Sequence, residues 1–298
     1  MTTTKFGHIA LAGSPNVGKS SLLNAIIGHP LAIVSSKAQA TRVPTIGLTT
    51  RGAAQFVFHD LPGLLRPDYL MHQRMMASAL AVLRRADVVL HLQTASDRSP
   101  RALGELVPDP ALAAALARVP VIKVLTKSDL AGEPVAHPEG APPTFRVSAL
   151  TKAGLDSLLD HLETLLPAGE WEFPDDDLGT QPVRFFVGEY LREAAFELLS
   201  DELPYSFTSE VEEFREGKDP VYIRATLFVE RDSQKRILIG AGGRTIKALG
   251  QHARTRLEAL IGGRVYLETW VKVQPKWRES AEMLTRLGLS ERATGEHP

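Results

Sequence analysis

Residues 13–20, Gly-Ser-Pro-Asn-Val-Gly-Lys-Ser, constrain the fold of this chain more than any other stretch. They follow a short apolar run, residues 9–12, and precede residues 21–27, which have helical character. Strand, glycine-rich turn and helix in this order predict a phosphate-binding loop, because glycines let successive backbone N–H groups turn toward a phosphate. The N-terminus of the helix adds partial positive charge. The alternative is a glycine-bearing turn that binds no ligand.

The loop also supplies side chains for a nucleotide and its metal ion. Lys19 is expected to reach the β- and γ-phosphates, and the Ser20 hydroxyl is expected to bind Mg²⁺. The residues predicted to contact the nucleotide are Gly13, Ser14, Pro15, Asn16, Val17, Gly18, Lys19, Ser20 and Ser21.

A segment rich in serine, threonine and lysine, residues 31–47, is interpreted as a loop. When a γ-phosphate is present, magnesium coordination needs a second hydroxyl group. Thr41 is the candidate for that ligand, and Thr45 is the alternative.

Asp60-Leu-Pro-Gly63 follows a strand-like run, residues 56–59. An aspartate at the C-terminal end of a strand can hold a magnesium-bound water, and the Gly63 N–H can meet the γ-phosphate. Leu64 stands where many small GTPases carry a glutamine that orients the attacking water, which a leucine cannot do. No general base is evident, so we expect Lys19, Mg²⁺ and backbone N–H groups to position the phosphates.

A second pair of motifs predicts which base is bound. The apolar strand 121–125 leads into Thr126-Lys127-Ser128-Asp129. Asp129 can accept two hydrogen bonds from the N1 and N2 side of guanine, a donor pair that adenine lacks. The stem of Lys127 is expected to cover the ring. The backbone N–H groups of residues 148–150, Ser148, Ala149 and Leu150, are expected to meet the base oxygen.

Length and composition agree with two ordinary globular domains. The chain has 298 residues, a net charge of -1 and no cysteine, which excludes disulfides and thiolate metal sites. Since the N-terminus lacks an apolar leader and no run approaches 18 apolar residues, neither a secretion signal nor a membrane span is expected. Because the net charge is only -1, any basic surface must be local rather than global.

The second half of the chain contains a local basic region around a short glycine motif. Residues 235–278 carry ten lysines and arginines against two acidic residues, and residues 240–243 form a G-x-x-G sequence between two helical segments. Such a loop lets a nucleic-acid backbone approach the protein backbone closely. Trp277, near the end of this region, is expected to stack on a base. The alternative is that it packs against a helix. The predicted RNA-binding residues are Gly240, Ala241, Gly242, Gly243, Arg244, Lys247, Lys276 and Trp277.

Taken together, these motifs resemble the Era family within the translational GTPase class. The motifs that carry the resemblance are the phosphate loop, Ala40-Thr41-Arg42, Asp60-x-x-Gly63, Thr126-Lys-x-Asp129, Ser148-Ala149-Leu150 and the Ile-Gly-x-Gly-Gly run at 239–243. The order helix, strand, strand, helix, helix, strand after residue 183 is similar to that of a type II KH domain. Three features depart from the family pattern. Thr126 stands where an asparagine is usual, the segment before Pro143 is shorter than the family's usual helix there, and Ala241 stands where a basic or polar residue is frequent.

The resemblance implies a fold and a domain plan. An α/β P-loop GTPase domain, doubly wound with a mostly parallel sheet, is expected over residues 1–173. A linker is expected over residues 174–182. An α+β type II KH domain that binds RNA is expected over residues 183–298.

The resemblance also implies a function. It implies binding and hydrolysis of GTP with Mg²⁺, binding to the 3′ end of 16S ribosomal RNA, and assistance to biogenesis of the small ribosomal subunit. The implied catalytic residues are Lys19, Asn16, Thr41 and Gly63. A potassium ion at Asn16 is implied too, with structural capping by Asn16 as the alternative.

The implied location is the cytoplasm, with peripheral association at the inner face of the cell membrane as an additional expectation, and no DNA partner is expected. The alternative function is an RNA-binding KH protein with a weak or non-productive nucleotide site. Thr126 and Leu64 motivate that alternative.

Overall fold

The computed structural model of the protein describes residues 3–97, 99–106, 110–132, 143–217 and 219–290. It contains two sheets with their helices. The strands are β1 (Lys5–Ala12), β2 (Thr45–Arg51), β3 (Ala54–Asp60), β4 (Val88–Thr94), β5 (Val121–Thr126), β6 (Thr144–Arg146), β7 (Thr208–Arg215), β8 (Val221–Val229) and β9 (Val265–Val273). The helices are α1 (Lys19–Ile27), α2 (Leu70–Leu83), α3 (Leu103–Leu106), α4 (Pro110–Leu116), α5 (Leu155–Leu165), α6 (Val183–Leu198), α7 (Leu203–Ser206), α8 (Asp232–Ile239), α9 (Arg244–Ile261) and α10 (Ala281–Arg286).

The first sheet has six strands in the order β2-β3-β1-β4-β5-β6. All neighbours are parallel except β2, which pairs antiparallel with β3 at one edge. The central strands are apolar on both faces because helices cover both faces of a parallel sheet, and Ile9, Leu11 and Leu90 are fully buried. The carboxyl ends of the parallel strands meet at one edge, where ligands bind in such folds.

Strand β2 begins inside residues 31–47, the segment whose sequence indicates a loop. Thr45 starts the strand and pairs with Asp60 of β3, so the loop ends before Thr45. The sequence from Thr45 to Arg51 alternates weakly and includes a glycine, which explains why the pattern did not predict a strand. The antiparallel partner β3 supplies the hydrogen bonds that fix its extended conformation.

The second sheet has three strands in the order β7-β8-β9, with β7 antiparallel and β9 parallel to β8. Helices α6 and α9 pack together and against one face of this sheet, so the chain order is helix, strand, strand, helix, helix, strand. Leu191, Leu227, Leu249 and Leu257 are fully buried in that core. This order agrees with the predicted type II KH arrangement.

The predicted linker lies along the edge of the first sheet. Its residues 174–178 are exposed, yet the carbonyl of Leu178 accepts a hydrogen bond of 2.9 Å from the Leu48 N–H of β2. A Cβ added at Gly179 would lie 2.7 Å from the Ile46 carbonyl oxygen, so this close approach needs glycine. The linker is therefore held by main-chain contacts although residues 174–178 are exposed.

Three cations of the first domain donate to main-chain carbonyls of the second. Lys37 reaches the carbonyls at the C-terminal end of α6, Arg42 reaches those that follow the start of α7, and Arg74 reaches two in the segment from α10 to residue 289. The C-terminus of α6 carries partial negative charge, so Lys37 is a favourable partner there. These contacts join the two domains through the segments near the nucleotide site. Among the described helices, none is both long and apolar enough to cross a bilayer.

Candidate nucleotide and RNA sites

The phosphate loop connects β1 to α1 at the carboxyl edge of the first sheet. Gly18 precedes the helix with φ +95°, and a Cβ at Gly13 would lie 2.5 Å from the Leu92 carbonyl oxygen. Both positions therefore need glycine, one for backbone conformation and the other for space. The loop follows the path that the sequence predicted.

Lys19 lies within the loop and is 6% exposed. Its Nζ donates to the carbonyls of Ser14 at 2.9 Å and Gly13 at 3.3 Å. Burial lowers the pKa of Lys19 from 10.5 to about 8, and the nearby Asp60 carboxylate opposes that shift. The ammonium group is thus under-solvated, which suits a group whose partner is a phosphate.

The predicted magnesium ligands converge. Ser20 Oγ donates to Asp60 Oδ2 at 2.6 Å, and Thr41 Oγ1 lies 3.1 Å from Ser20 Oγ and 3.2 Å from Asp60 Oδ2. Asp60 is fully buried, and its other oxygen, Oδ1, has no hydrogen-bond partner among the described residues. Thr45, the alternative, is buried in β2 instead, so the geometry favours Thr41.

These residues fit a hard cation. Two hydroxyls and one carboxylate are the oxygen ligands that Mg²⁺ uses beside substrate phosphates. Burial raises the pKa of the Asp60 carboxyl, while Lys19 and the hydrogen bonds from Ser20 and Thr41 lower it. An unpaired buried carboxylate oxygen is costly, and a bound divalent cation would satisfy it. In the described part of the chain no cluster of three His, Cys, Asp or Glu offers another metal site.

Gly63 and Leu64 lie against the phosphate loop. A Cβ at Gly63 would lie 2.8 Å from backbone atoms of Pro15, so only glycine allows this approach. The Leu64 N–H donates to the Gly13 carbonyl at 3.0 Å, and the Leu64 side chain is buried among apolar neighbours. Leu64 therefore packs into the core of the domain, and its side chain cannot orient a water molecule.

Two adjoining clefts flank α1, one on the phosphate side and one on the base side. The phosphate-side cleft of about 470 Å³ is lined by Asn16, Lys19, Ser20, Thr41 and Gly63. The base-side cleft has about 420 Å³, and its lining includes Gly18, Ser21, Thr126, Lys127, Asp129, Ala149 and Leu150. The structure thus brings the predicted phosphate and base residues to one continuous region.

Asp129 is oriented by a neighbour in the base-side cleft. Its Oδ1 accepts a hydrogen bond of 2.5 Å from Ser148 Oγ, which is fully buried. Lys127 Nζ donates to the Asn16 carbonyl at 3.0 Å and so bridges the base motif to the phosphate loop. Leu150 is 83% exposed at the rim. The Asp129 carboxylate keeps its second oxygen for a ligand.

Thr126 occupies the position where the family pattern has asparagine. Its hydroxyl donates to the Val17 carbonyl at 2.5 Å and lies 3.1 Å from the Gln93 carbonyl. The side chain is 3% exposed. Threonine therefore braces the phosphate loop from the base motif, but its single polar atom is already engaged and is not free for a guanine.

Asn16 links the phosphate loop to the loop before β2. Its Nδ2 donates to the Ser36 carbonyl at 2.8 Å, and its φ of 61° places the residue in the left-handed region that asparagine tolerates. Within the described residues, the Asn16 side-chain oxygen accepts no hydrogen bond. Asn16 can thus hold the loop and still offer one oxygen to a monovalent cation.

The G-x-x-G loop joins α8 to α9 at the surface of the second domain. Gly242 and Gly243 have φ values of 60° and 77°, and no atom lies within 4 Å of a Cβ placed on either. Arg244 and Lys247 follow on α9 and are exposed, and Ile237 of α8 is 60% exposed. The loop presents bare backbone with cations and an apolar residue beside it, as single-stranded RNA recognition requires. Lys276 is also exposed.

Trp277 lies elsewhere. Its ring is fully buried, Nε1 donates to the Ser206 carbonyl at 2.9 Å, and the Arg42 guanidinium lies 5.4 Å from the ring centroid. A ring without an exposed face cannot stack on a base, so the prediction that Trp277 binds RNA is wrong. The packing alternative describes its position instead.

Comparisons with known proteins agree with this geometry. Residues 8–127 match the family described as 50S ribosome-binding GTPase, and residues 202–278 match the KH domain family. A variant of Aquifex aeolicus Era bound to GDP·AlF4⁻ is 34% identical, covers 96% of this chain and 100% of its own, and has a TM-score of 0.89.

The chain belongs to the Era family. A second Era structure, in complex with MgGDPNP and nucleotides 1506–1542 of 16S ribosomal RNA, is also 34% identical and covers 96% of this chain and 99% of its own, with a TM-score of 0.88. The predicted fold class, a P-loop GTPase domain followed by a KH domain, is confirmed. The enzyme is accordingly a GTPase.

Lys37, Arg42 and Arg74 are the residues that sequence reasoning missed in this Era-family GTPase. Arg42 lies in the Ala40-Thr41-Arg42 motif, which by itself indicates no role for this side chain. All three bind main-chain carbonyls of distant segments, and carbonyls carry no sequence signature. The one available signal was the position of Arg42 directly after the magnesium candidate Thr41.

Proposed function

We propose that this GTPase binds GTP with Mg²⁺, hydrolyses it, and uses the nucleotide state to control its binding to the 3′ end of 16S ribosomal RNA during small-subunit assembly. The observation that carries the proposal is the pair Thr41 and Arg42. Thr41 lies at the candidate magnesium site, and Arg42 is inserted into the KH domain. The RNA target is taken from the Era complex with 16S ribosomal RNA nucleotides 1506–1542.

We assign nucleotide binding to residues 1–173 and RNA binding to residues 183–298, with residues 174–182 as the linker. The two sheets support this division, since each is covered by its own helices, and buried apolar residues run continuously from one to the other. In the first domain Lys19 and the loop N–H groups hold the phosphates, and Ser20, Thr41 and Asp60 hold Mg²⁺. In the second domain the G-x-x-G loop with Arg244 and Lys247 holds the RNA backbone.

Hydrolysis in this proposal depends on positioning rather than on a general base. Mg²⁺, when bound, neutralises charge on the phosphates. Lys19 holds the β- and γ-phosphates, and the Gly63 N–H stabilises charge that develops on the γ-phosphate. Asn16 holds the adjoining loop and offers its oxygen to a potassium ion, a role that the family suggests and the free oxygen of Asn16 allows.

The specificity for guanine rests on Asp129. Ser148 orients one carboxylate oxygen, which leaves the other to accept from the base. Competition between GTP and ATP for the protein is the direct measurement. Equal affinities would remove Asp129 from its proposed role.

The alternative function is an RNA-binding protein whose nucleotide site is unproductive. Single-turnover hydrolysis of labelled GTP, measured with and without the 3′-terminal segment of 16S ribosomal RNA, separates the two. We expect slow cleavage alone and faster cleavage with RNA. If GTP is not cleaved in either condition, the alternative function, an RNA-binding protein with an unproductive nucleotide site, is favoured.

We also propose that the protein works in the cytoplasm and associates peripherally with the inner face of the membrane. The first part follows from the ribosomal RNA target, and the second rests on the family resemblance alone. Sedimentation with anionic lipid vesicles tests the second part, and recovery of all protein in the supernatant at physiological salt would reject it.

A further inference from the structure

A cleft of about 470 Å³ lies between the two domains, away from both the nucleotide clefts and the G-x-x-G loop. Arg42 and Val43 of the first domain form one side of it. Helix α6, strand β7 and the segment from Trp277 to Leu289 form the rest. None of the residues proposed above to hold the phosphates or the RNA backbone lines this cleft.

The cleft has an excess of positive charge. Its charged lining residues are Arg42, Arg184, Arg192, Arg286, Glu189 and Glu210. Glu210 pairs with Arg286, and Glu189 pairs with Arg192. Two arginines, Arg42 and Arg184, therefore have no carboxylate partner within the cleft; Arg42 donates to main-chain carbonyls, and Arg184 donates to the Val211 carbonyl.

The deepest cations are also incompletely satisfied. Arg42 is 3% exposed and Arg192 is 7% exposed, and the Nε of each lacks a hydrogen-bond partner within the described chain. Burying such donors without acceptors is costly, and so is burying two guanidinium groups against one carboxylate. Burial, followed by the nearby charge of Arg192, lowers the pKa of Arg42 to about 9. A small oxyanion in the cleft would offset this excess of positive charge, whereas the two Nε atoms are enclosed by the protein.

We propose that this interdomain cleft is a binding site for a phosphate group, either free or carried by a small metabolite. Arginine matches the geometry of phosphate oxygens, which accept several charge-assisted hydrogen bonds at once. Because the lining comes from both domains, the bound anion holds Arg42 against the KH domain. Occupancy of the cleft therefore stabilises the docked arrangement of the domains.

Phosphate binding to the full-length protein tests this site. The nucleotide site is first saturated with a non-hydrolysable GTP analogue and Mg²⁺, so that phosphate cannot occupy the γ-position. Inorganic phosphate and adenosine monophosphate are then titrated separately by calorimetry at constant ionic strength. We expect saturable binding of one phosphate group per chain. If adenosine monophosphate binds more tightly than inorganic phosphate, the phosphate group that the cleft binds is carried by a nucleotide.

Arginine replacements locate the site. Arg192→Gln removes a buried donor and should weaken phosphate binding about tenfold, as expected for one charge-assisted hydrogen bond. Arg184→Gln, at the exposed rim of the cleft, gives a second test that holds if the buried replacement unfolds the protein. Arg254→Gln changes the same charge on the exposed face of α9 and should leave binding unchanged.

Circular dichroism of each variant without phosphate establishes that it is folded. Absence of saturable binding to the unaltered protein would overturn the proposal. Equal weakening by Arg184→Gln and Arg254→Gln would also overturn it, because it would show an adventitious ion only.

Discussion

Thr41 and Arg42 are neighbours in the chain but bind different domains. The Thr41 hydroxyl lies 3.2 Å from the Asp60 carboxylate at the candidate magnesium site, and the Arg42 guanidinium donates to the Phe207 carbonyl of the KH domain at 2.9 Å. One peptide unit joins the two side chains. We therefore expect withdrawal of Thr41 from the metal site to displace Arg42 from the KH domain.

Arg42→Gln is expected to uncouple RNA binding from the nucleotide state. In the unaltered protein the GTP-analogue and GDP forms should bind RNA with different affinities, and couplings of this kind are typically about 5–150-fold. Loss of the Arg42 contacts should bring that ratio toward one. Arg51→Gln is the matched control, because Arg51 pairs with Asp160 inside the first domain.

Titration of RNA into both nucleotide forms measures the ratio. Linkage requires that RNA shift the relative affinities for the two nucleotides by the same factor. A ratio that Arg42→Gln leaves unchanged would show that the nucleotide signal takes another route between the domains. A ratio of one in the unaltered protein would leave two independent modules.

Thr126 should tolerate one replacement and not another. Thr126→Val keeps the shape but leaves the Val17 carbonyl without its donor, so GDP should bind about tenfold more weakly for the loss of one buried hydrogen bond. Thr126→Asn can brace the loop and also reach the base, so GDP should bind more tightly. Fluorescence titration of GDP measures both. Equal affinities for GDP in all three proteins would mean that the side chain of residue 126 does not contribute to nucleotide binding.

Nucleotide binding should take up a proton at alkaline pH. Burial holds the pKa of Lys19 at about 8, and the negative charge of bound phosphates should raise it. Between the two pKa values the free protein has lost a proton that the complex retains, so affinity falls as pH rises above about 8. Calorimetry at pH 8.5 in buffers of different ionisation enthalpy counts that proton.

Lys19→Arg supplies the comparison for this measurement, because arginine keeps its charge throughout the range. The variant should bind without proton uptake at pH 8.5. The unaltered protein should also show no uptake by this group near pH 6.5. Identical proton counts in the two proteins at pH 8.5 would assign the uptake to some other group.

Potassium should accelerate GTP hydrolysis where sodium does not. Asn16 holds the Ser36 carbonyl through Nδ2 and leaves its oxygen available, while Leu64 offers nothing to orient water. Turnover in matched potassium and sodium buffers tests the unaltered protein first. Asn16→Ala should then abolish the difference between the two cations. A loss of turnover that is equal in both buffers would indicate a purely structural role for Asn16.

Gly242→Asp should prevent RNA binding without unfolding the KH domain. The position has φ 60°, which aspartate tolerates, and no atom lies within 4 Å of an added Cβ. A carboxylate at this position opposes the RNA phosphates. Gly242→Asn is the matched control, since it adds the same bulk without charge and should weaken RNA binding less.

Filter binding over a range of salt concentrations measures these variants. Arg244→Ala should reduce the salt dependence of RNA binding by about one unit, as expected for one lost phosphate contact. GTP affinity should stay unchanged in each variant. Wild-type RNA affinity in Gly242→Asp would exclude the G-x-x-G loop from the RNA interface.

The motifs predicted the chemistry of the first domain because their residues are close in sequence to the backbone turns that they require. Glycines at 13 and 18, Lys19 and Ser20 lie in one loop, and local geometry already dictates where that loop points. Asp60 and Asp129 follow apolar strands, and parallel strands bring their carboxyl ends to a common edge. In the second half, the order of helices and strands predicted the KH arrangement through its similarity to a type II KH domain.

Residues whose partners are main-chain atoms of distant segments could not be predicted in this way. Thr126 departs from the family pattern, but only the fold shows that its hydroxyl reaches the Val17 carbonyl. Strand β2 was missed because antiparallel pairing with β3, and not its own pattern, makes it extended.

The sequence by itself determined the two folds, the nucleotide and magnesium chemistry and the glycine loop of the KH domain, since these depend on short motifs within regular elements. Only the tertiary structure decided that Trp277 is buried, that Arg42 joins the switch segment to the KH domain, and that arginines from both halves line one cleft. The reason is that carbonyl acceptors and burial are properties of packing between distant segments, and no local pattern of side chains encodes them.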